Sequence, residues 1–236
     1  MGLLACGHER ALTFSATLAT VKLRKTFGVE VLHCPCGAAV TGVISDNRNM
    51  LSTDAIAPLK TMELSRKTYA RLGAQGAFEG LRVQLINGTV IVMSPMGTPH
   101  AFAVAKLSRI LMKHAPDDVD VRVQLPLAAA DDSEPEPDFA LVPASHEPGA
   151  DHPETALLVV EVADSSRKLD LGPKARLYAA SRVPEYWVVD LVAHTLVVHR
   201  LPKAGRYTSV RRFGRGKRVT SAAVPSISVE LSDFLR

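Results

Sequence analysis

The chain has 236 residues, 47% of them apolar and 22% charged, which suits one ordinary domain plus an appendage, or two small domains, with a real core. Its net charge of +4 and pI near 9.0 favour a polyanionic partner only mildly. The three cysteines, Cys6, Cys34 and Cys36, lie too near the start to staple the main body, and no apolar run reaches the roughly 18 residues of a membrane span, so a cytoplasmic protein is expected.

Residues 1–61 differ in character from the rest and read as a poorly organised N-terminal extension; Met62 opens a better-organised region, 62–236. There, ELSRKTYARLGAQGAF predicts a short helix ending near Gly73 or Gly76. LRVQLINGTVIVMSP predicts two strands around Asn87-Gly88, the strongest short hairpin signal. Thr98-Pro99 opens an amphipathic helix with apolar positions at Val104, Leu107, Ile110 and Leu111. VDVRVQLPLAA reads as a strand, and the repeated Arg-Val-Gln-Leu at Arg82 and Arg122 is treated as chance.

PDFALVP and TALLVVEVA read as the two central strands, joined by the polar linker ASHEPGADHPE. A helix is expected over Asp170 to Arg182 with Pro173 in its first turn, then strands EYWVVD and TLVVHRL. Arg206, Arg211, Arg212, Arg215, Lys217 and Arg218 crowd the next segment, either as a solvated hairpin or as a phosphate-contacting one. Strands dominate with helices inserted among them, which predicts an α/β fold with a mixed central sheet flanked by helices.

The chemistry concentrates between Glu134 and Asp190. Asp138 stands at the start of one apolar run and Glu161 inside the next, where an acid is costly to bury without compensation. A divalent cation would compensate it, and hard cations such as Mg2+ prefer carboxylate and carbonyl oxygens, so the Val162 carbonyl is a third candidate ligand. Asp170, Lys174 and Tyr178 share one helix face by spacing, and Lys174 is expected to reach back over the strand ends. Tyr178 either orients Lys174 or packs in the core; His100 either contacts phosphate or caps and packs. Asp190 and Trp187 read as structural.

PEPDFALVP followed by EVADSSRKLDLGPKARLYAASRVPEYWVVD resembles the Uma-two family of restriction-endonuclease-like proteins, within the PD-(D/E)XK nuclease superfamily. The similarity extends upstream through GAFEGLRVQLINGTVIVMSPMGTPHA and covers about Leu64 to Arg200. The resemblance implies a restriction-endonuclease-like core, Mg2+-dependent cleavage of DNA (Mn2+ substituting), and Asp138 and Glu161 as metal ligands. The superfamily's lysine usually lies two residues after that glutamate, where this chain has Ala163; in this family it matches Lys174. Where the family usually has Glu in the phrase ELIDG, this chain has Gln84, which supplies no charge, and Glu79 is a poor substitute. His100 occupies a position where the family often has His.

A second, shorter resemblance, over roughly thirty residues around TFGVEVLHCPCGAAVTGVISDNRN, is to the zinc-ribbon tail of insertion-sequence transposases. Cys34 and Cys36 are one residue apart and no second knuckle follows, so the segment reads as a degenerate remnant rather than a working zinc site, although Cys6, His8 and His33 are further potential ligands. Three functions follow from these readings. They are a metal-dependent DNA endonuclease, expected to be homodimeric if it cuts both strands; a catalytically impaired nuclease fold that binds nucleic acid; and a mobile-element remnant.

Overall fold

The structure is a computed structural model that describes residues 62–144 and 151–235, together with the backbone of two short strands nearer the N-terminus, β1 (Leu32–His33) and β2 (Ala39–Val40). The chain divides into two units, Met1–Lys60 and Thr61–Arg236. In the first, β1 and β2 pair antiparallel; Cys6, His8, Cys34 and Cys36, on which a zinc ribbon would depend, lie outside the described residues, as does the His33 side chain.

The second unit opens with helix α1 (Arg66–Ala74), started by Ser65, whose Oγ accepts the Thr68 amide. Strands β3 (Val83–Ile86) and β4 (Thr89–Val92) form the expected hairpin. Asn87 and Gly88 both take positive φ, 47° and 70°, as a type I′ turn requires. Gly88 is doubly constrained, because a Cβ there would fall 2.6 Å from the Glu63 Cβ. Helix α2 (Thr98–His114) starts on Gly97 with proline in its first turn.

The core is one six-stranded mixed sheet in the order β10-β9-β8-β7-β6-β5, built from β5 (Val119–Val123), β6 (Phe139–Pro143), β7 (Leu158–Ala163), β8 (Glu185–Asp190), β9 (Thr195–Lys203) and β10 (Arg206–Gly214). Only β7 and β8 run parallel. β7 and β8 are buried along their whole length, as strands covered on both faces must be. On one face α2 lays Ala103, Leu107 and Leu111 against Phe139, Leu158 and Trp187, joined by the C-terminal strands β11 (Arg218–Thr220) and β12 (Ser228–Glu230). On the other, Ala175 and Tyr178 pack against Val159, Tyr186 and Val188. Trp187 is fully buried, so the structural role expected of it is its place in this core.

Two expectations are corrected here. The strand expected over VDVRVQLPLAA stops at Val123, because Gln124 adopts φ 51° and turns the chain out of the ladder. The helix expected from Asp170 to Arg182 begins earlier and is not uniform: α3 (Arg167–Leu169) passes through a π-helical turn, Asp170–Lys174, into α4 (Ala175–Ala180). Pro173 lies within that turn rather than at a helix start. A wide turn accommodates the missing proline N–H and the ring clash that would break an α-helix. Among the described residues no helix is long and apolar enough to cross a membrane.

Candidate active site

The site grows out of a ladder that ends early. β6 and β7 pair only from Leu141↔Leu158 to Phe139↔Val160. Where the next rung would fall, the Asp138 side chain takes over, its Oδ2 accepting the Val162 amide at 2.8 Å. A residue in a strand presents N–H and C=O to the same edge, so the Val162 carbonyl opens toward Asp138 as well. The segment Pro135–Pro137 before Asp138 is held by Leu127, whose amide donates to the Pro135 carbonyl. Upstream, the β3–β4 hairpin docks on the same segment through Leu85 and Glu134, which exchange amide–carbonyl hydrogen bonds.

Asp138 is 7% exposed. Its Oδ1 accepts from His100 Nε2 at 3.0 Å and from Gln124 Nε2 at 3.1 Å. Burial raises the Asp138 carboxyl, but the His100 hydrogen bond and charge, the Val162 amide and Gln124 together hold it below the usual carboxylate range. Burial lowers the His100 imidazole in turn, yet Asp138, with Glu161 and Asp164 farther off, holds it above its ordinary value.

Glu161 is 3% exposed and its Oε1 accepts from Lys174 Nζ at 2.8 Å and from the Tyr178 hydroxyl at 2.9 Å. Burial, added to by the charges of Asp170 and Asp138 and opposed by Lys174, pushes this carboxyl up to about 8. Burial would lower the Lys174 ammonium; Glu161 and Asp170 outweigh it and hold it above the usual lysine range. Asp170 lies one π-helical turn before Lys174, its Oδ1 3.5 Å from Nζ and its Oδ2 accepting the Ser166 hydroxyl. Oδ1 is buried and takes no hydrogen bond.

Six of the residues singled out in the sequence, Gln84, His100, Asp138, Glu161, Asp170 and Lys174, line one cleft of about 450 Å³. Val162 and Tyr178 do not line it; Val162 touches Asp138 through its amide, and Tyr178 stands behind Glu161. Tyr178 is fully buried and donates to Glu161, so it orients the acid rather than Lys174. Gln84 is buried at 4%, its Oε1 3.5 Å from the Glu136 amide. Asp190 sits outside the cleft, binding Arg167 Nε at 2.7 Å and the Ala193 amide. Gln124 went unnoticed in the sequence, since nothing local marks its left-handed backbone. Asp164 and Ser166, which also line the cleft, follow Glu161 closely enough to have been suspected.

The donor set bears on whether a cation fits. Two buried carboxylates interact across the cleft, and burial above all holds the Glu161 carboxyl well above the usual carboxylate range. Added to the Val162 carbonyl, these are the oxygen donors that a hard cation takes, with water and substrate completing its shell. No group of three or more His, Cys, Asp or Glu side chains suited to a metal occurs among the described residues.

Comparison with known proteins agrees with this architecture. A solved structure described as a putative nuclease from Anabaena variabilis ATCC 29413 superimposes with a TM-score of 0.59 at 12% identity, covering 73% of this chain and 97% of that one. At that identity the likeness establishes the fold. No curated protein matches the chain significantly. The profile of the Uma2 (Uma-two) family, described as putative restriction endonucleases, matches residues 67–232 and therefore every cleft residue named above; the chain belongs to that family.

Proposed function

We propose that this protein is a divalent-metal-dependent endonuclease that hydrolyses phosphodiester bonds in DNA, with Mg2+ as the natural ion and Mn2+ able to replace it. The observation that carries the reading is the convergence of Asp138, Glu161 and Lys174 on one cleft, the two acids coming from adjacent strands and the ammonium from the helix after them. Asp138, Glu161 and the Val162 carbonyl would hold the ion. Bound there, it would supply Lewis acidity toward the phosphate and a more acidic water.

The remaining roles belong to the chain itself. Tyr178 and Lys174 fix the Glu161 carboxylate from behind. His100 and Gln124 fix Asp138 from the side, and the Val162 amide fixes its other oxygen. Lys174, while paired with Glu161, would offset negative charge developing on nearby phosphate oxygens without serving as a grip on the backbone. Asp170 keeps the lysine charged and aimed. Cutting both strands of a duplex would call for two copies of the site, hence a homodimer.

One observation favours a second reading, a nuclease fold that binds without cutting. Gln84 lines the cleft with a neutral amide, and two carboxylates hold magnesium more weakly than three. Nicking of supercoiled plasmid separates the two. The endonuclease reading expects nicking that requires Mg2+ or Mn2+, stops with chelator, and is lost in Asp138→Ala and Glu161→Ala proteins that still fold. Cleavage that survives both substitutions would remove the proposed site.

A further inference from the structure

Between Leu191 and Val229 the chain carries eight Lys and Arg and no Asp or Glu, against a net charge of +4 for all 236 residues. Two of the eight are engaged, Arg200 with Glu185 at 2.7 Å and Arg218 with Glu230 at 3.6 Å. The other six, Lys203, Arg206, Arg211, Arg212, Arg215 and Lys217, are exposed and make no ion pair with any described residue. Unpaired surface cations in one contiguous segment are the electrostatic footprint of a polyanion site.

The register says where this charge stands relative to the cleft. Glu161 is paired with Val188, Val188 with Val197 and Val197 with Arg212, so the acid and the arginine occupy one row across the sheet. Directly paired residues share a face, and three strand spacings of about 4.8 Å separate the two by roughly 15 Å. That is about four base pairs of a duplex at 3.4 Å each. β10 ends at Gly214 opposite Thr195, Thr195 is paired with Asp190, and Asp190 with Ala163. The turn carrying Arg215 and Lys217 therefore lies at the same end of the sheet as the acids.

The cleft cannot grip a polyphosphate with its own side chains. Its acids Glu136, Asp138, Glu161, Asp164 and Asp170 outnumber its cations, and those cations are committed: Arg82 to Glu136, His100 to Asp138, Lys174 to Glu161. Affinity for a backbone must come from elsewhere on the molecule. β10 is also an edge strand. Pairing it with the β10 of a second copy would crowd arginines together, and like charges facing across strands are unfavourable.

We propose that the cleft-side end of β10 and the turn after it, Arg212 to Lys217, form the grip on the phosphate backbone of a DNA duplex, holding it so that the same duplex reaches the Asp138–Glu161 cleft. This rests on the nuclease reading for the cleft and adds a separate anchor to it. Neutralising one cation that binds a phosphate should lower the salt dependence of binding by about 0.9 in the log–log slope.

The test measures binding of a labelled DNA duplex to the full chain in chelator, across a salt series. Arg212→Ala/Arg215→Ala is compared with the equally neutralised Arg109→Ala/Lys113→Ala on α2, with thermal melts to verify that both fold like wild type. The grip predicts that the first pair weakens binding by about tenfold and lowers the slope by about 1.8, while the second changes affinity less than twofold. Equal effects of the two pairs would overturn it. Plasmid nicking by wild type keeps the two ideas apart. Arg212-dependent binding without Mg2+-dependent nicking sinks the nuclease reading and leaves the grip standing. Nicking with Arg212-independent binding does the reverse.

Discussion

The Asp138 carboxylate accepts the Val162 amide at 2.8 Å in the place where the β6–β7 ladder would otherwise have continued. One side chain thus finishes the sheet and holds a negative charge at its edge. That double duty separates two substitutions. Asp138→Ala leaves a buried amide without a partner, which costs about 1–3 kcal/mol; Asp138→Asn can keep an oxygen for the amide and should cost less. Urea denaturation measures the difference, and both proteins should lack nicking activity. Equal stability of the two would mean that the Val162 amide finds another acceptor.

Glu161 gives a pH signature. Its folded-state pKa lies near 8, above the ordinary 4.5, because burial disfavours its charge. Between those values the native state holds a proton that the unfolded chain has released, so stability falls as pH rises through that window. Glu161→Gln should flatten the slope, as read by denaturation at pH 5.5 and 8.5. A bound divalent cation competes with the same proton, so Mg2+ should raise Tm more at pH 8.5 than at pH 5.5. A cation effect independent of pH would detach Glu161 from the ion.

Lys174 and Glu161 are both nearly fully buried and 2.8 Å apart. Removing the cation alone, as Lys174→Met, takes away the charge that opposes protonation of Glu161. The loss should be greatest above pH 8, where the acid would otherwise ionise beside Asp138 and Asp170, and should reach about 3–5 kcal/mol there. Adding Glu161→Gln to that variant should recover much of the loss. A double-mutant cycle with purely additive effects would contradict the coupling.

Much of this arrangement can be read along the chain, because its parts are local. Asp138 precedes an apolar run, Glu161 interrupts another, and Lys174 follows on a helix, each a matter of pattern within a dozen residues. What could not be read depends on distant pairing or on unusual backbone. The π-helical turn was hidden because Gly172-Pro173 imitates a helix start, where proline is welcome. Gln124 reaches Asp138 only through its left-handed φ. Gln84 approaches the acids because Leu85 pairs with Glu134, which joins segments far apart in sequence.

Gln84 offers a gain-of-function test. A carboxylate in its place would face a cleft already rich in acids, so Gln84→Glu should lower the stability of the metal-free protein and tighten its Mg2+ or Mn2+ binding. Calorimetric titration of both proteins measures the change. Unchanged affinity would take Gln84 out of the metal's surroundings.

Gly88→Ala tests the hairpin that carries Gln84. It combines a positive φ with a Cβ only 2.6 Å from the Glu63 Cβ, and backbone strain of this kind costs about 1–3 kcal/mol before the clash is counted. A lowered Tm is expected; an unchanged one would show that the turn and Glu63 can both move aside.

The most direct measurement is anomalous diffraction from crystals grown with Mn2+. A hard cation shared by Asp138 and Glu161 predicts one strong peak about 2.1 Å from a carboxylate oxygen of each, absent from Glu161→Gln crystals prepared alongside. A peak bound elsewhere, or none in this cleft at saturating Mn2+, would contradict the metal site on which the endonuclease account stands.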